Sequence, residues 1–243
     1  IVVFMDDDTV LDKHWNEKMR DHFMEDIYAL QATATMWRGN NLKIQSCGHY
    51  LEGYRTLDLG YDQDVKIKNQ LRNPPFPCAN GAFISWKVIE NIEENINDEN
   101  EEVWDNRFGK LVCFDFGLKA FLLGHRCKLV YDALAYHTGY LATAKGLTQE
   151  QVINELIDRQ LLYYKFFPED LRKQAIKILE GKVKKEWWYF GYPHARSIKG
   201  EVLSMLYNYA KDSVDKNARK INPIWRDKVA KLSQYDKEKL LGY

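Results

Sequence analysis

The chain has 243 residues, 45% of them hydrophobic, which supplies a proper core for one large or two modest domains and excludes both disorder and a small disulfide scaffold. Its 35 Lys and Arg balance 35 Asp and Glu, and a formal charge of zero excludes bulk nucleic acid as the main partner, because that mode of binding needs a net basic field to displace counterions. The balance hides an asymmetry: residues 181–243 carry 14 basic against 7 acidic side chains, and residues 1–180 carry 21 against 28.

Residues 1–5, Ile-Val-Val-Phe-Met, form a continuous apolar run that predicts a central strand buried on both faces. A chain that opens inside such a strand reads as a fragment, or as a domain whose first element this is. The acidic stretch Asp6-Asp7-Asp8-Thr9 follows. Over residues 12–26, Trp15, Met19, Phe23 and then Ile27 recur every fourth position, which predicts an amphipathic helix. Two strand-like runs, 29–37 and 42–51, flank the turn signal Arg38-Gly39-Asn40-Asn41 and predict a hairpin or adjacent strands. Residues 61–77 turn from polar to Pro-rich and read as a loop entering the segment 78–84.

A helix is predicted from Trp86 to about Ile96. Residues 90–105 hold eight acids and no base, the composition of a solvated surface loop, with metal binding as the other use. Phe114, Leu118, Phe121 and Leu122 predict a helix over 113–123 that Gly124 ends, and two short strands follow at 128–131 and 133–137. From Thr148 the pattern is helical almost throughout. The fold class is therefore α/β, a domain over residues 1–145 carrying a helical, basic extension over 146–243. No apolar run approaches the roughly 18–20 residues that cross a bilayer, and no basic region precedes the apolar start. Four cysteines without a CxxC pair or a glycosylation sequon fit a reducing compartment, so a cytoplasmic location is expected.

Asp6-Asp7-Asp8 is the strongest chemical signal. Alternate residues of an extended chain point the same way, so Asp6 and Asp8 converge while Asp7 faces across. Two carboxylates at the carboxyl end of a strand suit Mg²⁺ or Mn²⁺ bridging to a phosphate-bearing substrate, and that end of an α/β sheet is where ligands bind. The plainer reading is an acidic turn in which Asp8 or Asp12 caps the next helix. A cap needs one carboxylate, and three in succession repel one another, which favours the metal. His137, at a strand end, either completes a metal shell or makes a structural hydrogen bond. Asp115 suits a general base beside a sugar hydroxyl, or equally a first-turn acid paired with Lys119 one turn on. Gly81 after Asn80 permits close backbone approach, and Trp86 either stacks on a sugar face or packs in the core. The aromatic run Trp187-Trp188-Tyr189-Phe190, behind Lys182, Lys184 and Lys185, suits a membrane interface or helix packing.

Taken together, residues 1 to about 140 resemble the family 2 inverting glycosyltransferases of GT-A fold, in particular the rhamnosyl- and galactofuranosyltransferase-like branch. Three blocks in order carry the resemblance. Residues 3–9 are similar to the family's strand and DxD motif, and residues 78–84 to the segment lining its donor-sugar and acceptor region. Asp115-Phe116-Gly117-Leu118-Lys119-Ala120, Gly124-His125-Arg126 and a closing strand ending in His137 complete the pattern. The resemblance implies Mn²⁺ or Mg²⁺ held by Asp6, Asp8 and His137, and a nucleotide-diphosphate sugar bound through Asp6, Asp7 and Asp8. It further implies a sugar region at Asn80, Gly81 and Trp86, and a glycan or lipid-linked acceptor in polysaccharide biosynthesis at the cell envelope. Residues 181–243 would supply peripheral membrane contact. Two departures stand out. Val112 and Cys113 occupy places where the branch usually has acids, one of them the catalytic base, so Asp115 or a residue from elsewhere takes that role, or activity is weak. The family's nucleotide-binding half before DxD is also absent, which implies an N-terminally truncated chain.

Two other readings compete. Haloacid-dehalogenase-like phosphatases also open with a strand and DxDx[TV][LV], which would make Asp6 a nucleophile and Asp8 its acid/base around Mg²⁺. That reading demands a later acidic metal motif, which the sequence lacks. A transferase-derived carbohydrate-binding or scaffold protein is the third, motivated by Cys113.

Overall fold

The computed structural model describes residues 1–24, 27–37, 40–52, 55–96, 101–109, 111–137, 148–184, 200–217, 221 and 223–241. A strand buried on both faces is β3 (Leu30–Trp37), whose Leu30, Gln31, Ala32, Thr33, Ala34, Thr35 and Met36 are all buried. Small residues alternating with larger ones let helices and neighbouring strands approach both of its faces. β3 lies at the centre of a six-stranded mixed sheet ordered β1-β7-β3-β8-β2, with β4 (Asn40–Ser46) added to the C-terminal half of β3. β3 runs parallel to β8 (Cys127–His137) and antiparallel to β7 (Asn80–Ile84). The architecture is thus α/β, a mixed sheet flanked by helices.

The opening run takes a different place from the one expected. β1 (Val2–Met5) is an edge strand, antiparallel to β7, and alternates between partly buried and exposed residues. Val2 and Phe4 pack toward the core, while Val3 is 48% and Met5 46% exposed. A continuous apolar run does not reveal which of its faces the fold will cover; β1 has one covered face. β2 (Thr9–Leu11) pairs antiparallel with β8.

Two further boundaries move. The run 42–51 divides into β4 and a separate hairpin of β5 (His49–Glu52) and β6 (Arg55–Asp58). The break falls at Gly48, whose φ of 99° suits glycine and where a Cβ would lie 2.5 Å from Pro74. The two short strands expected at 128–137 are one, because residues 131–133 bulge out of the β3 ladder and pairing resumes at Leu134. Helix α1 (Trp15–Asp21) is shorter than its periodicity suggests, burying Trp15 and Met19 but leaving Ile27 56% exposed beyond it. It starts after His14, at φ 66°, with no side-chain cap, so neither Asp8 nor Asp12 serves as one.

α2 (Trp86–Asn95) is capped by Ser85, and α3 (Val112–Leu122) stops before Gly124, whose φ is 92°. The helical region contains α4 (Gln149–Phe166), α5 (Glu169–Lys184), α6 (Gly200–Asn217), α7 (Ile224–Ala230) and α8 (Gln234–Leu241). Thr148 and Gln151 close a capping box on α4. Phe76, Phe114, Leu118 and Phe121 from the first part share one apolar cluster with Leu156 and Phe166 of α4 and Trp225 of α7. The helices are therefore packed into the α/β part. Residues 185–192, with the aromatic run, lie outside the described residues. No helix among the described residues is long and apolar enough to cross a membrane.

Candidate functional site

The register of β2 against β8 sets Thr9 opposite His137 and so brings the imidazole beside the preceding acidic turn. His137 Nε2 lies 2.8 Å from Asp8 Oδ1, and ligand atoms of Asp6, Asp8 and His137 all lie within 4.8 Å of one another. Asp6 and Asp8 converge as the spacing suggested, but through a turn in which the Thr9 N–H donates to the Asp6 carbonyl at 3.2 Å, since β1 has already ended at Met5. Asp7 is exposed. Partial burial, together with Asp8 and Asp7, raises the Asp6 carboxyl above its usual range despite the opposing pull of His137. Accumulated negative charge at the end of an edge strand is what a divalent cation would relieve, and two carboxylates with an imidazole fit Mn²⁺ or Mg²⁺.

This triad borders a cavity of about 570 Å³, whose lining includes Asp6 and His137. Asn80 lines it too; it is 3% exposed, and its Oδ1 has no hydrogen-bond partner among the described residues. A buried amide oxygen left without a partner is costly, so it marks a place where a ligand donor would fit. From the helical region, Glu155 and Arg159 of α4 reach the same cavity. Arg159 donates to Thr56 Oγ1 at 2.6 Å and to Glu155 Oε1 at 2.8 Å, whereas Glu155 Oε2 is buried without a partner among the described residues. Sequence reasoning missed both; their i,i+4 spacing is the only local signal, and ordinary surface helices share it. His49, Asp58, Cys78 and Cys113 also line the cavity.

Three other expected residues lie elsewhere. Asp115 has 0% exposure and is not part of the cavity wall; its oxygens lie 2.7 Å from Lys119 Nζ and 2.6 Å from Lys165 Nζ. Of its two expected uses, the pairing with Lys119 is the geometry present. Gly81, at φ 110°, faces Thr33 and Trp15, where a Cβ would come within 3.0 Å of the Thr33 methyl, so its freedom serves packing between β7 and α1. Trp86 is 54% exposed at the start of α2, outside the cavity, and donates to Glu90 Oε1 at 2.9 Å; it is no core residue.

The acidic stretch 90–105 also departs from the expected solvated loop. Glu101 and Asp105 are buried, and with Asp115 their carboxylates gather around Lys165 at 2.6 to 2.8 Å. Burial disfavours charge on Lys165, yet Asp115, Glu101 and Asp105 more than offset that and raise its pKa.

The family models and the curated proteins compared with this chain gave no match.

Proposed function

We propose that the protein is a metal-dependent glycosyltransferase that moves a sugar from a nucleotide-diphosphate donor to a glycan or lipid-linked acceptor, with inversion. The observation that carries this reading is the convergence of Asp6, Asp8 and His137 at the edge of a cavity of about 570 Å³, room for a sugar. Their resemblance to a DxD motif with its partnering histidine selects the nucleotide sugar among phosphate-bearing ligands. When bound, Mn²⁺ or Mg²⁺ supplies positive charge that favours departure of the diphosphate. Asp6, Asp8 and His137 would hold it. Asn80 Oδ1 accepts a hydrogen bond from a donor or acceptor hydroxyl.

The proton of the acceptor hydroxyl falls to Glu155. Asp115 is sealed between two lysines and does not line this cavity, whereas Glu155 lines it with one oxygen held by Arg159 and the other without a partner among the described residues. A carboxylate oriented by one oxygen and open at the other suits a general base. A cytoplasmic, membrane-peripheral setting fits the basic excess of residues 181–243 and the exposed Met205 and Tyr209, one turn apart on α6.

Release of nucleoside diphosphate from a panel of nucleotide sugars, with Mn²⁺ and with chelator, tests the reading. Metal-dependent release that Asp8→Ala abolishes and Glu155→Gln slows on the order of a hundredfold supports it. Tight metal-dependent binding without turnover points instead to a scaffold, and metal-dependent phosphate release from an aryl phosphate to a phosphatase. Liposome association that survives Met205→Glu with Tyr209→Glu counts against membrane contact through α6.

A further inference from the structure

The cavity that the acidic triad borders carries a second set of ligand atoms. We infer that His49, Asp58 and Cys78 form a Zn²⁺ site, distinct from the Asp6–Asp8–His137 set and sharing no residue with it. This inference does not rest on the transferase reading. Ligand atoms of the three side chains all lie within 4.8 Å of one another. They come from the two strands of one hairpin and from the loop before β7. The β5–β6 hairpin pairs His49 with Asp58 in register and sets His49 Nδ1 2.9 Å from Asp58 Oδ1. Cys78 arrives on the loop before β7.

His49 is held closely. Its backbone N–H donates to the Phe76 carbonyl at 2.9 Å, which fixes the main chain, and its ring stacks on Phe114 with centroids 4.4 Å apart. The Cys113 side chain hydrogen-bonds the same ring. Gly48 before it adopts a φ of 99° against Pro74, so the turn that delivers the imidazole tolerates no larger residue without strain. A ligating histidine typically has its ring oriented by such outer contacts.

The donor chemistry selects the metal. A thiolate with an imidazole and one carboxylate oxygen is a borderline-soft set suited to Zn²⁺, while the oxygen-rich triad suits Mg²⁺ or Mn²⁺. Tetrahedral zinc with nitrogen at about 2.0–2.1 Å and sulfur at about 2.3 Å places neighbouring ligands about 3.5 Å apart. The separations present, 4.8 Å or less, exceed that value by about 1.3 Å at most. All three residues line the cavity, so the fourth coordination position faces it. Three protein ligands with an open fourth position are the arrangement of zinc sites that bind a water or a substrate oxygen, not of closed structural sites.

The test is cobalt substitution in the full chain after chelator treatment. One equivalent of Co²⁺ should bring the near-ultraviolet charge-transfer band of a cobalt–thiolate bond with the visible bands of tetrahedral cobalt, and Zn²⁺ should abolish both. Cys78→Ser should lose the charge-transfer band and weaken Zn²⁺ binding at least tenfold, and Cys113→Ala should weaken it about tenfold through the His49 contact. Asp8→Ala should leave the spectrum unchanged. In the wild-type protein, where folding is not in question, Zn²⁺ should protect Cys78 from alkylation as read by peptide mass spectrometry. The inference is overturned by a wild-type spectrum without a thiolate band, by a band that survives Cys78→Ser or disappears in Asp8→Ala, or by undiminished alkylation of Cys78 in Zn²⁺.

Discussion

Two groups of carboxylates in this protein meet the same distance test for a metal site, and they have opposite natures. Glu101, Asp105 and Asp115 gather their oxygens within 4.8 Å, as do the side chains of Asp6, Asp8 and His137. The first group is buried and already holds its cations: Lys165 contacts all three acids, Lys119 contacts Glu101 and Asp115, and Arg107 grips Asp105 through two nitrogens at 2.6 and 2.7 Å. Three acids and three bases balance. The second group sets Asp6 and Asp8 beside an imidazole at the border of a cavity. Proximity of acids is thus a weak sign of a metal, and the charge balance around them is the stronger one. The sealed group also ties regions far apart in sequence, since Lys165 belongs to α4 and Trp225 of α7 donates to Glu101 at 2.9 Å.

The contrast breaks most visibly in stability. Lys165→Met removes the cation shared by three buried acids and should cost about 3–5 kcal/mol, because uncompensated buried charge is expensive. Urea denaturation would read this, and a loss under 1 kcal/mol would mean that the cluster is not the electrostatic joint described. Asp8→Ala should leave the urea midpoint nearly in place while abolishing metal-dependent turnover. A large stability loss there would reverse the roles of the two groups.

Acid response separates them next. Burial pushes the Asp105 carboxyl up, but Arg107 and Lys165 overcome this and lower its pKa from 3.8 to about 2. A folded-state pKa below the unfolded one contributes stability that is present above about pH 4 and lost as pH falls toward 2. The amount is on the order of 2 kcal/mol, and Asp105→Asn should flatten that limb of a stability–pH curve. Asp6 has the opposite sign. Its raised pKa makes the fold more stable with the acid protonated, a gain lost as pH rises through its folded value. In chelator at neutral pH, Asp6→Asn should therefore melt at or slightly above the wild type; a clear drop in melting temperature would refute the strain argument. The smallest effect belongs to Trp86. With its ring on the surface and one contact to Glu90, Trp86→Ala should change stability by no more than about 0.5 kcal/mol and leave nucleotide-sugar binding unaltered. Weakened binding would return it to the sugar region.

Local chemistry was legible in the chain before any fold was known. The helix from Trp86, the stop at Gly124, the α/β class and the proximity of Asp6 to Asp8 rest on periodicity, capping and short spacing, which act over a few residues. What distance along the chain hides is which apolar run becomes the centre. Residues 1–5 and β3 are both hydrophobic enough, and pairing with β7, β4 and β8 chose β3. The same long-range pairing seated His137 beside Asp8, through a β2–β8 register that neither strand encodes alone. It sealed Asp115 behind Lys165 from a helix fifty residues on, and brought Glu155 and Arg159 into a cavity from a region that read only as a basic helical extension. Sequence patterns report which face of an element is apolar; the partner that covers that face, and so the environment of every charged group near it, is settled when distant segments compete for the same core.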